Sequence, residues 1–161
     1  MATKIRIGYG YDVHPLGAGR PLILGGIEIP HSKGLLGHSD SDVLVHAICD
    51  ALLGAMGEGD LGRHFPSSDP RFKDISSLKL LGDVVAKLRK KSYRIVNIDT
   101  VIVAQAPRLS PFLAAMQKRV AEVMAIEPDL LNIKVKSGEG LDAVGREEGM
   151  MAHAVCLIDS A

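Results

Sequence analysis

The chain has 161 residues, 47% hydrophobic and 24% charged, and this composition excludes intrinsic disorder and collagen-like or mucin-like architecture. Nineteen basic residues balance nineteen acidic ones, so net charge gives no reason to expect nucleic acid or an anionic membrane as a partner. Cys49 and Cys156 lack CxxC spacing, which argues against a disulfide framework or a zinc ribbon. Because the sequence shows neither a signal-peptide pattern nor an apolar run of about eighteen residues, we expect a cytoplasmic protein.

The first part of the chain predicts strands. Residues 4–14, KIRIGYGYDVH, alternate between an apolar side chain and a polar residue or glycine, which is typical of a strand with two different faces. Residues 21–30, PLILGGIEIP, contain two short apolar runs separated by Gly25 and Gly26, and they predict a hairpin. A glycine-rich loop follows and ends at His38.

A helix is predicted next. Ser39, Asp40 and Ser41 are all suitable N-cap residues, and apolar side chains recur at helical spacing over residues 44–55. Residues 58–74 carry two prolines and two glycines without periodicity. They predict an unusually long loop, and long ordered loops often carry function.

The second half alternates helices and strands. Its pattern predicts helices over Ser76–Lys91 and from Pro111 to before Pro128, and strands over residues 93–105, 132–137 and 150–159. This order predicts a single α+β domain, residues 1–161. We expect a two-layer sandwich, with a mixed four-stranded sheet that carries the helices on one face, beside a small hairpin.

Three residues form a candidate metal site. Asp12 and His14 are two positions apart on the predicted first strand, so their side chains leave the same face and can converge on one ion. His46, on the predicted helix, is the third candidate, and this ligand set leaves one position open for catalysis. Alternatively, Asp12 and His14 make a turn contact and His46 is solvated. Asp42 or Asp50 can orient the His46 ring, and the spacing does not say which.

His38 is a further candidate because it precedes a helix N-terminus, where backbone donors favour an anion. Alternatively it is simply exposed, and Ser39 or Asp40 only caps the helix. Small residues at 104–107 allow a flat base to approach the backbone, or merely form a strand exit.

The glycine-rich loop 138–149 offers a possible phosphate site. Its glycines permit close approach to a phosphate, Glu139 can bind a hard cation, and Arg146 can hold a phosphate or carboxylate. An ordinary surface turn explains the same residues.

Together these segments resemble the 2-C-methyl-D-erythritol 2,4-cyclodiphosphate synthase family. The resemblance is carried by GYGYDVH at 8–14, GLLGHSDSD at 34–42 with His46, GDLGRHFP at 59–66, AQAP at 104–107 and GREEG at 145–149. These motifs span nearly the whole chain.

The resemblance implies a lyase of the non-mevalonate isoprenoid pathway. Such an enzyme converts 4-diphosphocytidyl-2-C-methyl-D-erythritol 2-phosphate into the cyclic diphosphate and releases CMP. The resemblance also implies a homotrimer with active sites between subunits, and a zinc-type ion held by Asp12, His14 and His46. A second divalent ion, magnesium or manganese, is expected on the diphosphate, held by Glu139.

The resemblance further assigns roles to single residues. His38 and Ser137 match transition-state stabilisers, and Lys136 lies beside the phosphates. The remaining substrate contacts correspond to Ser39, Asp60, Gly62, Phe65, Pro66, Ser67, Ser68, Asp69, Ala104, Ala106, Pro107, Arg108, Leu109 and Arg146.

Two places depart from the family pattern. Ser137 stands where the family usually has threonine, and because the hydroxyl is kept we expect activity to survive. Residues 138–143 read GEGLDA, where TEKLGF or TEKLGY is common in the family. Ala143 therefore replaces an aromatic residue that, in relatives, lines a central trimer cavity. Isoprenoid binding in that cavity is left open.

Two other functions are compatible with these residues. A metal-dependent phosphodiesterase would use the open ion to activate water and would yield a linear product. A non-catalytic trimeric metal-binding protein would turn over no cytidine diphosphate substrate. The histidine at the helix start and the long loop favour an enzyme, because a structural metal site needs neither.

Overall fold

A computed structural model of the chain describes residues 4–160; residues 1–3 and 161 of the predicted domain lie outside that range. Its strands are β1 Ile5–Gly17, β2 Leu22–Leu24, β3 Ile27–Ile29, β4 Gly34–Leu35, β5 Tyr93–Val103, β6 Leu131–Lys136 and β7 Gly149–Ser160. Its helices are α1 Val43–Met56, α2 Leu61–His64, α3 Ser77–Lys90, α4 Leu113–Met124 and α5 Asp142–Gly145, and short 3-10 turns cover Pro70–Phe72, Ser110–Phe112 and Pro128–Leu130.

Within residues 4–160 the main sheet has five strands, in the order β4-β1-β7-β5-β6. Among the strands of the described residues, only β5 and β6 run parallel, so the prediction of a mixed sheet is confirmed. The predicted number of four strands is wrong, because β4 pairs antiparallel with residues 16–17 at the end of β1. Two residues are too few to show strand periodicity in a sequence. The predicted hairpin is present as β2 and β3, which form a separate two-stranded sheet.

The helices cover one face of the sheet. Alternate residues of β7, β5 and β6, including Ala154, Ile102 and Ile133, are buried on that face beneath the helices. On β1 the buried positions are Gly8 and Gly10, because α1 lies too close to admit a side chain there. The side of β1 that carries the metal candidates Asp12 and His14 therefore faces α1.

The other face of the sheet is open, and it is apolar along β1. The exposed large apolar side chains there are Ile5, Ile7, Tyr9, Tyr11 and Val13, with Val155 beside them on β7, whereas β6 exposes Asn132, Lys134 and Lys136. Such a contiguous apolar face is typical of a surface that packs against another protein. Among residues 4–160, no helix combines the length and apolar character that a membrane crossing requires.

The start of α1 differs from the prediction. Asp42 is the N-cap, and its carboxylate accepts the backbone N–H of Val45, so Ser39, Asp40 and Ser41 are wrong as caps. Ser41 has a left-handed backbone with φ of 60°, so it lies outside the helix, which begins at Val43. The predicted long loop 58–74 contains the one-turn helix α2 and the Pro70–Phe72 turn.

Candidate active site

The predicted metal ligands lie together in the structure. Asp12 and His14 come from β1 and His46 from α1, and one donor atom from each falls within 4.8 Å of the others. The Asp12 Oδ2 atom lies 3.1 Å from Nε2 of His14 and 2.8 Å from Nδ1 of His46. The alternative of a turn contact and a solvated helix histidine is thereby excluded, since His46 is buried.

The second nitrogen of each histidine is already in use. Nδ1 of His14 lies 2.7 Å from the carbonyl oxygen of Leu36, and Nε2 of His46 lies 2.8 Å from the hydroxyl of Ser77. Each ring therefore has one nitrogen bonded to a residue outside the cluster and the other directed toward Asp12. Two imidazole nitrogens and a carboxylate oxygen are a donor set suited to a zinc-type ion, and they fit one.

The three ligands strongly affect each other's protonation. Burial by itself raises the pKa of Asp12, but hydrogen bonds and charges from His14 and His46 outweigh it and hold that pKa well below its usual range. Burial lowers the pKa of His14, and the hydrogen bond and charge of Asp12 outweigh it, so the net shift is upward. The site thus favours an ionised Asp12 carboxylate that faces positive charge. A metal ion requires the same ionised form of Asp12.

Neither Asp42 nor Asp50 orients the His46 ring. The Asp42 carboxylate is buried and accepts the N–H groups of Gly25, Gly26 and Val45, and burial raises its pKa to about 6. Asp50 accepts the backbone N–H of Leu61 at 2.6 Å. The expectation that one of them holds His46 is wrong, because each satisfies backbone donors of a neighbouring loop.

A cavity of about 260 Å³ adjoins the metal ligands. Its lining combines metal candidates, predicted substrate contacts and apolar side chains: His14, His38, Ser39, His46, Leu61, Gly62, Phe65, Ser67, Phe72 and Leu80. His38 is half-buried, and its Nε2 lies 3.0 Å from the carbonyl oxygen of Asp69. It is therefore not simply an exposed loop histidine.

The predicted substrate loop 60–69 follows α1 and forms one side of this cavity. Asp60 caps α2 through the N–H of Arg63, while Asp69 forms an ion pair with Arg71 and caps the next turn. Pro66 and Ser68 are exposed in the same loop. The loop therefore brings backbone and side-chain groups next to the metal ligands.

A second group of predicted site residues surrounds the ends of β5 and β6. The Ser137 hydroxyl donates to the Glu139 carboxylate at 2.6 Å, and the Ala104 N–H donates to the carbonyl of Lys136 at 2.9 Å. Ala104 and Leu109 are buried, Ala106 and Pro107 are half-buried, and Arg108 is exposed. Arg146 is exposed and paired with Glu148 at 2.8 Å.

The two groups lie at the same end of the sheet but apart within one chain. The strand register runs from His14 through β7 and β5 to Lys136. Three strand spacings of about 4.8 Å place these strands roughly 14 Å apart. Asp12 and His14 lie on the helix-covered face, whereas the alternation of β6 puts Lys136 on the open face.

Sequence reasoning missed the partners behind the metal ligands. These partners are the Leu36 carbonyl, which meets His14, and the Ser77 hydroxyl at the start of α3, which meets His46, and neither follows a recognisable motif. A larger cleft, about 610 Å³, lies between the ends of α3 and α4, and none of the predicted site residues lines it.

An α+β domain with an open Asp/His/His cluster beside a cavity is typical of a metal-dependent enzyme with a small-molecule substrate. The chain belongs to the YgbB family, whose model matches residues 5–159. Two relatives named 2-C-methyl-D-erythritol 2,4-cyclodiphosphate synthase come from Syntrophomonas wolfei and Pelotomaculum thermopropionicum. The first is 55% identical over 98% of this chain and 100% of its own length. The second is 56% identical over 96% and 95%.

Solved structures share the fold. A 2C-methyl-D-erythritol-2,4-cyclodiphosphate synthase in a CDP-bound form has a TM-score of 0.88 and 37% identity, over 96% of this chain and 100% of that one. IspF from Plasmodium falciparum in complex with CDP has a TM-score of 0.86 and 32% identity, over 97% and 96%. The bifunctional IspDF from Campylobacter jejuni has a TM-score of 0.96 and 38% identity, over 99% of this chain but 43% of that longer one.

Proposed function

We propose that the chain, as one synthase domain, converts 4-diphosphocytidyl-2-C-methyl-D-erythritol 2-phosphate into 2-C-methyl-D-erythritol 2,4-cyclodiphosphate and CMP. The observation that carries this proposal is the open cluster of Asp12, His14 and His46 on the wall of the His38 cavity. It occurs in a chain 55% identical over its length to a relative named for that reaction. The cytoplasmic location stays a prediction.

The reaction is an intramolecular phosphoryl transfer. An oxygen of the substrate's 2-phosphate forms a bond to the β-phosphorus, the bond from that phosphorus to the bridging oxygen breaks, and CMP leaves with the bridging oxygen. A phosphomonoester is ionised at neutral pH because its second pKa is about 6, so no protein base has to activate the nucleophile. The protein has to align the two phosphates and neutralise their charge.

Asp12, His14 and His46 would hold a zinc-type ion, and Glu139 would hold a second divalent cation, magnesium or manganese. When bound, these cations supply positive charge that offsets the charge of the diphosphate. His38, at the cavity wall, and Ser137 stabilise the transition state by hydrogen bonding, and Lys136 adds a positive charge beside the phosphates.

The remaining predicted contacts position the two ends of the substrate. The loop 60–69 holds the ribose and methylerythritol, and the 104–109 segment receives the cytosine. Ser39, in the cavity wall, and Arg146, which can exchange its Glu148 partner for a phosphate, complete the set. Because Ala104 and Leu109 are buried, the base is recognised mostly through backbone groups at the strand exit.

The active form is a homotrimer whose sites lie between subunits. Two features support this assembly. The open face of β1 exposes Ile7 by 71% and Tyr9 by 61%, and another copy of the chain would cover that apolar surface. The metal cluster and Lys136, which precedes the Glu139 group, also lie on different faces of one sheet, so a neighbouring copy can bring the second group to the first.

The decisive experiment is phosphorus NMR of the purified protein with the proposed substrate, with and without a chelator. Cyclic diphosphate and CMP, abolished by chelation, are the expected products. A linear phosphate product would instead identify a phosphodiesterase that activates water. Unchanged substrate after addition of zinc and magnesium would reject both activities and favour a metal-binding protein.

Hybrid trimers test the shared site. Asp12→Asn disables the metal group and Glu139→Gln disables the second group, so each homotrimer should be inactive. Random mixing by joint refolding should restore about a quarter of the sites, because each site then draws its two halves from different copies. Absence of any recovery, with hybrids detected by mass spectrometry, would place both halves in one subunit.

A further inference from the structure

Ser77 is completely buried. It lies beside the candidate metal ligand His46, although the two residues are far apart in the sequence. It is the first residue of α3, and its hydroxyl oxygen is 2.8 Å from Nε2 of His46, a residue of α1. Its backbone N–H donates to Oδ2 of Asp40 at 2.9 Å, and its hydroxyl donates to Oδ1 of the same carboxylate. Asp40 therefore fixes Ser77 by two bonds.

These bonds determine the direction of the contact with His46. A carboxylate carries no hydrogen to donate, so the single hydroxyl hydrogen of Ser77 is used by Asp40. The Ser77 oxygen can then only accept, and the hydrogen in the contact belongs to Nε2 of His46. The Ser39 hydroxyl oxygen, 3.2 Å from the same nitrogen and itself accepting the N–H of Ser41, is a second and longer acceptor.

We propose that Ser77, held by Asp40, is a positioning residue of the metal site: it takes the Nε2–H of His46 and thereby turns the Nδ1 lone pair toward the ion. In a neutral imidazole only one nitrogen carries hydrogen. With that hydrogen on Nε2, the nitrogen beside Asp12 presents its lone pair to a metal. The proposal rests on the proposed function, since it assumes that the metal cluster is a working site.

The same bonds attach the substrate loop to the metal ligand. The segment 74–77 joins the long loop to α3, and it contacts the segment before α1 through Asp74 N–H to the His38 carbonyl at 2.7 Å and Asp40 N–H to the Ile75 carbonyl at 3.1 Å. Ser77 therefore joins the ring of His46 to the element that closes the cavity. A shift of α3 would move the ligand and the cavity wall together.

Zinc binding by the purified protein tests the proposal without any substrate. Ser77→Ala should weaken zinc affinity by about 10- to 100-fold, the usual effect of removing a partner of a ligating histidine. Ser76→Ala is the matched control, because Ser76 is the neighbouring N-cap and its side chain makes no capping hydrogen bond. Ser77→Thr keeps the hydroxyl and should recover most of the affinity. Unchanged zinc affinity in a folded Ser77→Ala protein would overturn the proposal.

Nitrogen NMR of histidine-labelled wild-type protein loaded with zinc gives a second readout that does not depend on how a variant folds. His46 should show a slowly exchanging hydrogen on Nε2 and a metal-shifted Nδ1. Coordination through Nε2 would refute the proposal. Since neither measurement uses turnover, failure of the proposed synthase activity and failure of the Ser77 role are separate results.

Discussion

The backbone of Gly10 lies directly against α1, where a Cβ atom would overlap the carbonyl oxygen of Ala47 and lie 2.7 Å from the amide nitrogen of Ala51. This contact sets the distance between the strand that carries Asp12 and the helix that carries His46. The absence of a side chain at Gly10 is therefore a condition for the candidate metal site as well as for packing.

Gly10→Ala should lower the free energy of unfolding by about 3 kcal/mol, because the methyl group meets rigid backbone. The same change separates β1 from α1, so zinc affinity should fall too. Gly82→Ala is the control: Gly82 lies within α3 with open space around it, and alanine should stabilise the protein by about 0.5–1 kcal/mol. Chemical denaturation and zinc titration measure both effects. A Gly10→Ala protein as stable as the wild type would contradict the packing argument.

The metal candidates could be predicted from sequence because alternation and helical spacing act over short distances. Asp12 and His14 had to share a face, and only the crossing of α1 over β1 remained to bring His46 to them. Ser77 could not be predicted in this way, since its contact with His46 depends on how the long loop returns to the sheet. The side of β1 that packs against α1 could not be predicted from sequence either. The apolar residues of β1 are exposed, and its glycines face the helix.

Asp12→Asn should abolish turnover and leave assembly intact. The amide keeps the shape of the side chain but removes the charge that a metal and the two histidines require. Activity by phosphorus NMR and mass by light scattering separate the two effects. If the variant instead lost its oligomeric state, the cluster would be structural.

Protons should compete with zinc at His14. Asp12 holds the pKa of metal-free His14 above its ordinary 6.5, despite the opposing effect of burial. Zinc must displace that proton, so apparent zinc affinity should fall as the pH drops through this pKa, by about tenfold per pH unit for each proton displaced. Competition with a coloured chelator between about pH 8 and pH 5.5 measures the slope. A flat profile would show that His14 is not a ligand.

In the metal-free protein, the contribution of His14 to folding stability should fall with rising pH, whereas zinc affinity should rise. Because the folded pKa of His14 is raised, its contribution to stability is fully present below about pH 6.5, the unfolded value, and is lost as the pH rises through the folded pKa. The difference in unfolding free energy between wild type and His14→Gln, both without metal, should therefore shrink with increasing pH.

Asp42→Ala should be among the most destabilising polar substitutions. It leaves the N–H groups of Gly25, Gly26 and Val45 without their carboxylate, and a buried unsatisfied donor costs about 1–3 kcal/mol. We expect a loss of about 3 kcal/mol or more in unfolding free energy. Asp60→Ala removes another N-cap that accepts one helix N–H at an exposed site, and it should cost about 1 kcal/mol or less. Equal effects would mean that the hairpin contacts of Asp42 contribute nothing.

Ile7→Asp tests whether the open face is the subunit interface. A charge in the middle of a desolvated apolar contact has no partner, so the trimer should dissociate and activity should fall with it, although each monomer keeps its core. Ile7 is 71% exposed in the single chain and belongs to no buried cluster, so circular dichroism and zinc binding should stay near wild type. Lys79→Glu, on the exposed side of α3, is the control and should change neither mass nor turnover.

Light scattering that still shows a trimer for Ile7→Asp would direct the search for the interface away from β1. A monomer with full activity would show that one chain holds a complete site. That result would contradict the shared site inferred from the separation of Lys136 and His14 across the sheet.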